Sequence, residues 1–262
     1  MNMNFQTLML KKDKHVLIVT LNRPDARNAI NSVMMRELRD LWQELCVNPD
    51  KIRCVVLTGA APAFCAGADL KERNTITLET WHAQHIVFEQ AMRAMLDCTI
   101  PIIAAVNGYA FGGGLELALA SDFVYAATNA VFAQSEVKIG IMPGALGTQN
   151  LPRAAGLRRA KELTYTADSF FALQAFEWGI VNKVCEPDQL LTEVLLTAHK
   201  ISANAPLAVQ QAKKALNMSQ HMDLKSGFAY ELEAYNGLLP TKDREEGILA
   251  FNEKRQAEFV GK

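Results

Sequence analysis

Three consecutive glycines, Gly112-Gly113-Gly114, separate two apolar runs: Pro101-Ile102-Ile103-Ala104-Ala105-Val106 before them and Leu115 to Ala120 after them. The first run predicts a short buried strand and the second a helix, so the glycines form a tight strand-to-helix crossover. Without side chains there, the backbone approaches whatever faces it and aims unpaired N–H groups at it. A lone triple glycine is by default a close-packing device, with an anion or oxyanion site as the sharper alternative. Glu116 shifts the balance, because a carboxylate in an apolar helical turn is costly unless it is paired, exposed or functional.

Composition limits the alternatives. The chain has 262 residues, 50% of them apolar and 21% charged, enough for a large core in one domain or slightly more. A formal net charge of −1 supplies no general basic field, so neither nucleic acid nor an anionic membrane is an expected partner. Cys46, Cys54, Cys65, Cys98 and Cys185 are odd in number and lack Cys-x-x-Cys spacing, which argues against a disulfide framework and a zinc site. No histidine spacing suits a metal either, so none is expected. The first residues read as no targeting leader, and the apolar stretch from Ile100 to Ala127 is broken by proline, glycines and acids. A cytoplasmic protein is expected.

Along the chain, Phe5 to Leu10 and His15 to Leu21 predict a hairpin joined by a charged turn, Lys11 to Lys14. Asn31 or Ser32 caps a helix whose stripe is Met34, Leu38, Leu41, Trp42 and Leu45. Arg53 to Thr58 is a strand, completing a crossover unit. The small-residue run Gly59 to Lys71 permits another close backbone approach, facing the same ligand as the glycines or merely packing tightly. Cys65 in it reads as a small buried residue, not a nucleophile. Trp81, His85, Phe88, Met92 and Met95 mark a helix from Leu78 to Cys98, with His85 as a packing residue. Short strands Asp122 to Ala127 and Val131 to Ala133 lead to a second acid, Glu136. Two carboxylates beside exposed N–H groups suit acid–base work on a polarised carbonyl, while a solvated Glu136 paired with Lys138 is the equal alternative.

Several segments together resemble the enoyl-CoA hydratase (crotonase) family. They are Asn22-Arg23-Pro24, Ala63 to Leu70, Ala104 to Ala118, Gly140-Ile141-Met142-Pro143-Gly144, Lys242 to Gly247 and Phe251 to Arg255, in order and at family spacing. The resemblance implies an α/β fold, a crotonase-like spiral of ββα units with a C-terminal helical trimerisation region. The spiral core with the acyl-CoA site is placed at 1–200 and the helical oligomerisation region at 201–262. It implies a homotrimer, often paired into a dimer of trimers (a hexamer). Helices are expected over Leu190 to Asn204, Ala208 to Met218, Leu224 to Leu239 and Glu245 to Phe259.

Carried onto this sequence, the resemblance implies that the N–H groups of Ala68 and Gly113 form an oxyanion hole for the thioester oxygen. Glu116 is then the base that activates water for attack at C3, and Glu136 the acid that protonates C2. The product is a 3-hydroxyacyl-CoA, as in fatty acid metabolism, and no cofactor is needed because coenzyme A enters with the substrate. Further substrate contacts are implied for Arg27, Ala66, Asp69, Leu70, Lys71, Gly112, Pro143, Gly144, Phe251 and Lys254, the last two from a neighbouring subunit. Retention of both acids favours hydration over the family's isomerases. Dehydration of a hydroxyacyl-CoA, isomerisation and a non-catalytic or RNA-binding oligomer remain as alternatives. The chain departs from the family pattern at Ser135, Leu146 and Asn150, from which an altered acyl preference is expected, with Leu146 adding bulk near the acyl pocket.

Overall fold

The computed structural model describes residues 3–262 of the protein. Strands β1 (Leu8–Asp13) and β2 (Val16–Leu21) form an antiparallel hairpin. The sequence places the first strand earlier and reads Lys11 to Lys14 as the turn. Instead the strand continues through Lys11 and Lys12, and the reversal falls at Lys14, which is left-handed at φ 54°. An edge strand tolerates these lysines because one of its sides faces solvent.

Helix α1 (Ser32–Val47), capped by the Asn31 side chain accepting from Met34 N–H, returns the chain to β3 (Cys54–Gly59), parallel to β2. From there a two-strand unit repeats. β3 is followed by β4 (Ala63–Cys65), β5 (Ile102–Val106) by β6 (Tyr109–Phe111), and β7 (Phe123–Ala127) by β8 (Val131–Ala133). The short strand β9 (Phe170–Phe171) and then β10 (Lys183–Cys185) complete the sheets. The first strand of each pair enters a six-stranded sheet ordered β1-β2-β3-β5-β7-β10, and the second enters a four-stranded sheet ordered β4-β6-β8-β9. The chain thus winds as a spiral, crossing between sheets at each repeat.

The larger sheet is buried on both faces, which explains why its strands read as continuous apolar runs. Leu17, Val19, Val55, Leu57, Ile102 and Ala104 face the main core, while Val16, Ile18, Cys54, Val56, Ile103 and Ala105 face the other way. Helices follow the strand pairs: α2 (Leu70–Arg73), α3 (Leu78–Asp97), α4 (Gly113–Leu119), and then α5 (Gly147–Ala155), α6 (Leu157–Thr166) and α7 (Ala172–Glu177). Helix α8 (Leu190–Ala203) lays Leu190, Val194 and Ala198 on the sheet's outer face at helical spacing.

Three helices end the chain: α9 (Pro206–Met218), α10 (Leu224–Asn236) and α11 (Lys242–Glu253). α9 begins two residues earlier than the sequence predicts, on a proline suited to the first helical turn. α11 ends earlier than predicted, at Lys254 with φ 56°. Beyond it the tail folds back, and the buried carboxylate of Asp243 accepts from the N–H groups of Val260 and Gly261 at 2.7 and 2.9 Å. Neither α9 nor α10 buries a residue in the single chain. Among the described residues, no helix is long and apolar enough to cross a membrane.

Candidate active site

The glycine run lies where β6 of the smaller sheet turns into α4. Gly112 has φ +50° and ψ −120°, a conformation open essentially only to glycine, and a Cβ there would approach Glu136 Oε1 to 3.1 Å. Gly114 has a different reason for its missing side chain: a Cβ would lie 2.1 Å from the carbonyl oxygen of Cys65. The start of α4 is therefore pressed against the end of β4, and the two loops that follow these strands meet. A Cβ on Gly113 would lie 3.9 Å from Ala68 N, so the two backbone nitrogens are neighbours. Among the described residues, neither N–H donates to a protein group. Parallel bonding of Ile30 with Gly67 and Asp69 on either side holds Ala68 in place.

Glu116, in the first turn of α4, is 2% exposed. Its Oε1 accepts from the N–H groups of Ala145 and Gly147, both at 2.8 Å. Burial pushes its carboxyl up to about 7, with the nearby Glu136 charge adding to the rise and the two N–H donors and Arg73 opposing it. Glu136 opens a 3-10 turn, Glu136–Ile139, and both its oxygens accept from Gln134 Nε2 at 3.0 Å. The solvated pairing of Glu136 with Lys138 does not occur; Lys138 instead donates to the Ala167 carbonyl at 2.7 Å. Gln134 Oε1 is buried without a partner among the described residues. A Cβ on Gly147 would lie 2.7 Å from Glu116 Oε1 and 3.0 Å from Gln134 Oε1. The Gln134 amide thus stands between the two acids.

The two acids and the Ala68 and Gly113 loops line one cavity of about 730 Å³. Of the residues singled out in the sequence, Ala66, Ala68, Leu70, Gly112, Gly113, Glu116, Glu136, Pro143 and Gly144 all line it. Ser135 does so too. Arg27 stands apart, with its guanidinium 5.8 Å from the Tyr109 ring centre and its carbonyl accepting from Ala66 N–H at 3.0 Å. Asp69 is committed elsewhere: it pairs with Arg23 at 2.9 Å and caps α2 at Lys71 and Glu72. Burial works to raise its carboxyl, but Arg23 and the helix N–H groups hold it below the ordinary range. Lys71 is exposed, and Phe251 (83% exposed) and Lys254 lie outside the cavity in the single chain. Leu146 and Asn150 line a different cavity, with Leu119 and Lys213, so Leu146 adds no bulk to this one.

The opposite wall comes from α2 and α3. Trp81, His85 and Phe88 share one helix face, and Trp81 stacks on His85 with ring centres 5.1 Å apart and planes at 6°. The stripe that reads as uniform core therefore divides: Phe88, Met92 and Met95 are buried, while Trp81 and His85 are half-buried against the cavity. Sequence reasoning passed over Arg73, Gln134 and the cavity-facing role of Trp81 and His85. Arg73, one helical turn after the Asp69 cap, had the clearest signal, as a cation beside the small-residue loop.

Two neighbouring backbone N–H groups and two carboxylates thus share one cavity, an arrangement chemically able to hold charge on a carbonyl oxygen and to move protons beside it. A family model for enoyl-CoA hydratase/isomerase matches residues 11–262. The chain is 46% identical to a Bacillus subtilis protein named as an enoyl-CoA hydratase/isomerase, over 97% of this chain and 98% of the relative. It is 39% identical to the short-chain-enoyl-CoA hydratase of Clostridium acetobutylicum, over 98% of each. The crystal structure of the enoyl-CoA hydratase from Bacillus anthracis superposes with a TM-score of 0.95 at 39% identity, covering 98% of this chain and all of that one. The chain belongs to the enoyl-CoA hydratase/isomerase family and has the crotonase fold.

Proposed function

We propose that this protein hydrates short 2-enoyl-CoA thioesters reversibly, with Glu116 and Glu136 as the acid–base pair and Ala68 and Gly113 as the oxyanion donors. The observation that carries the proposal is the presence of both acids on the cavity that holds the two unpaired N–H groups. In the forward direction Glu116 takes a proton from water as its oxygen bonds to C3. The C2=C3 electrons move onto the thioester, whose oxygen takes up charge beside the two donors, and protonated Glu136 then delivers a proton to C2. Backbone donors suit this role because they are fixed before charge develops. A carboxyl pushed to about 7 exchanges protons readily at neutral pH. All of the chemistry lies in side chains and backbone, so no group beyond the CoA thioester is called for.

The exposed apolar residues Leu216, Leu224, Phe228 and Leu232 on α9 and α10 support a homotrimer, or a dimer of trimers, in which other copies cover them. Residues 201–262 then act as the oligomerisation region of a 1–200 core. In that assembly Phe251 and Lys254 contact CoA at a neighbour's site, while Arg27 meets it at the mouth of its own. The test is loss of the conjugated-thioester absorbance of crotonyl-CoA. Wild type is expected to hydrate it, and Glu116→Gln and Glu136→Gln each to lose about 10²–10⁴ in kcat. No hydration at several chain lengths would overturn the reading; isomerisation that survives Glu116→Gln would replace it with the isomerase.

A further inference from the structure

Arg73 ends α2 and lines two adjoining cavities, the reaction cavity and a smaller one of about 290 Å³ between α1 and α3. It is half-buried, yet among the described residues its guanidinium makes no hydrogen bond and no ion pair. That is unusual company for a desolvated cation, since buried charges are normally paired. Arg23 shows the ordinary case in the same region, with Asp69 at 2.9 Å. Glu72, the acid next to Arg73 in the chain, has its Oε2 bonded by the Ser32 N–H at 2.9 Å. The charges that favour the Arg73 cation, Glu72 first and then Glu116 and Glu136, act on it through their fields only, without a hydrogen bond.

His85 lines both cavities as well, and its ring nitrogens make no hydrogen bond among the described residues. Stacking on Trp81 fixes its plane, and its Cε1 would lie 3.6 Å from a Cβ on Gly144 across the cavity. On the proposed function the thioester oxygen lies at Ala68 and Gly113 and C2 and C3 at the two acids, and Arg73 and His85 line the same cavity, within which the rest of the acyl group must fit. There it meets a five-donor planar cation and an imidazole set among Trp81 and Phe88. A forked guanidinium in such a setting matches a carboxylate bidentately.

We propose that the acyl group of the natural substrate carries its own carboxylate, bound by Arg73 with His85 as a second donor, so that the substrate is the CoA monothioester of a short 2-enedioic acid. This rests on the hydratase reading and names its substrate class. The competing role for Arg73 is a countercharge to Glu116 and Glu136, which would affect all substrates alike.

The experiment compares glutaconyl-CoA with 5-methyl-2-hexenoyl-CoA, in which an isopropyl group replaces the carboxylate, and with crotonyl-CoA. Wild type is expected to favour glutaconyl-CoA over its neutral isostere at least about tenfold in kcat/KM. Arg73→Leu should lower that ratio at least about tenfold, chiefly through KM, with Arg73→Lys between the two, as for loss of a charge-assisted pair. Direct binding of saturated glutaryl-CoA and 5-methylhexanoyl-CoA to wild type and Arg73→Gln should show the same reversal without catalysis. Hydration of crotonyl-CoA and the isostere with no preference for glutaconyl-CoA overturns this inference and leaves the hydratase reading standing. An equal fall with every substrate in Arg73→Leu assigns the countercharge role instead and also overturns it. If wild type hydrates none of the three, both readings fall.

Discussion

The wall of the cavity built from Gly67-Ala68 and Gly112-Gly113 presents backbone N–H groups, whereas the wall built from α2 and the first half of α3 presents side chains. The first is held by contacts with no slack: the start of α4 is pressed on Cys65, and Gly112 faces Glu136. The second consists of the side chains of Arg73, Trp81, His85 and Phe88, of which Phe88 also belongs to the main core. On the proposed function, reaction type rests on atoms every residue has, and substrate choice on side-chain atoms that substitution changes. The comparison predicts a hierarchy of effects.

The largest effect belongs to the backbone wall. Gly114→Ala puts a Cβ 2.1 Å from the Cys65 carbonyl oxygen, a backbone atom that cannot swing aside as a side chain would, so α4 must move and carry the Gly113 N–H with it. A fall of about 10²–10³ in kcat is expected with crotonyl-CoA, the loss typical of one misplaced oxyanion donor. A variant that folds and keeps near-normal kcat would show that the donor wall is not rigid.

Next comes the acid that serves this wall. Glu116 has a carboxyl raised to about 7 in the folded chain, above the ordinary 4.5, chiefly by burial. Its protonated form is favoured by folding, so its stabilising contribution is present below about pH 4.5 and is lost as pH rises through about 7. Above that, the ionised group costs on the order of 3 kcal/mol. Glu116→Gln keeps an acceptor for Ala145 and Gly147, so its urea midpoint should exceed that of wild type at pH 8 and differ little near pH 4.5. With Glu116 as the base of the proposed mechanism, kcat/KM of the wild type should rise with pH through about 7 as it ionises. An advantage for the variant at low pH instead would mean that Glu116 is stabilised as the anion.

The side-chain wall should respond more mildly and selectively. Trp81→Ala removes the ring stacked on His85 and opens both cavities. Activity on crotonyl-CoA is expected to fall by about tenfold or less, while longer enoyl-CoA thioesters gain relative to it, since each methylene in a pocket discriminates by about 1–3 kcal/mol. A uniform loss across chain lengths would place Trp81 with the backbone wall.

The same division explains what the sequence made legible. Glycines and small residues at fixed offsets report on close backbone approach, so the two loops and Glu116 stand out in the sequence, while the pairing of Ala68 with Gly113 comes only from the family resemblance. The strands of the larger sheet were legible because apolar runs such as Ile102 to Val106 have few other uses. The side-chain wall was hidden because a helix stripe such as Trp81, His85, Phe88, Met92 and Met95 has one periodicity whether it faces core or cavity. Only the packing shows where core ends and cavity begins. Gln134 was hidden because its place between the two acids depends on the fold of the Ala145 to Gly147 loop. β1 runs further than its sequence pattern predicts because an edge strand accepts charged residues on its solvent side.

Leu146 supplies the smallest and most discriminating effect. Its position in the family pattern suggests the acyl pocket, but it lines a separate cavity beside Leu119 and Asn150 and begins α5 in the left-handed region at φ 77°. A non-glycine residue there costs about 1–2 kcal/mol, and the partly buried side chain recovers a similar amount against the main core. Leu146→Gly exchanges one for the other, so stability should change by less than about 1 kcal/mol in urea unfolding. Its chain-length profile should match that of wild type within about twofold, in contrast to Trp81→Ala. If the two variants shift the profile alike, acyl choice is not confined to the α2 and α3 wall, and the separation between a backbone wall for chemistry and a side-chain wall for selection fails at Leu146.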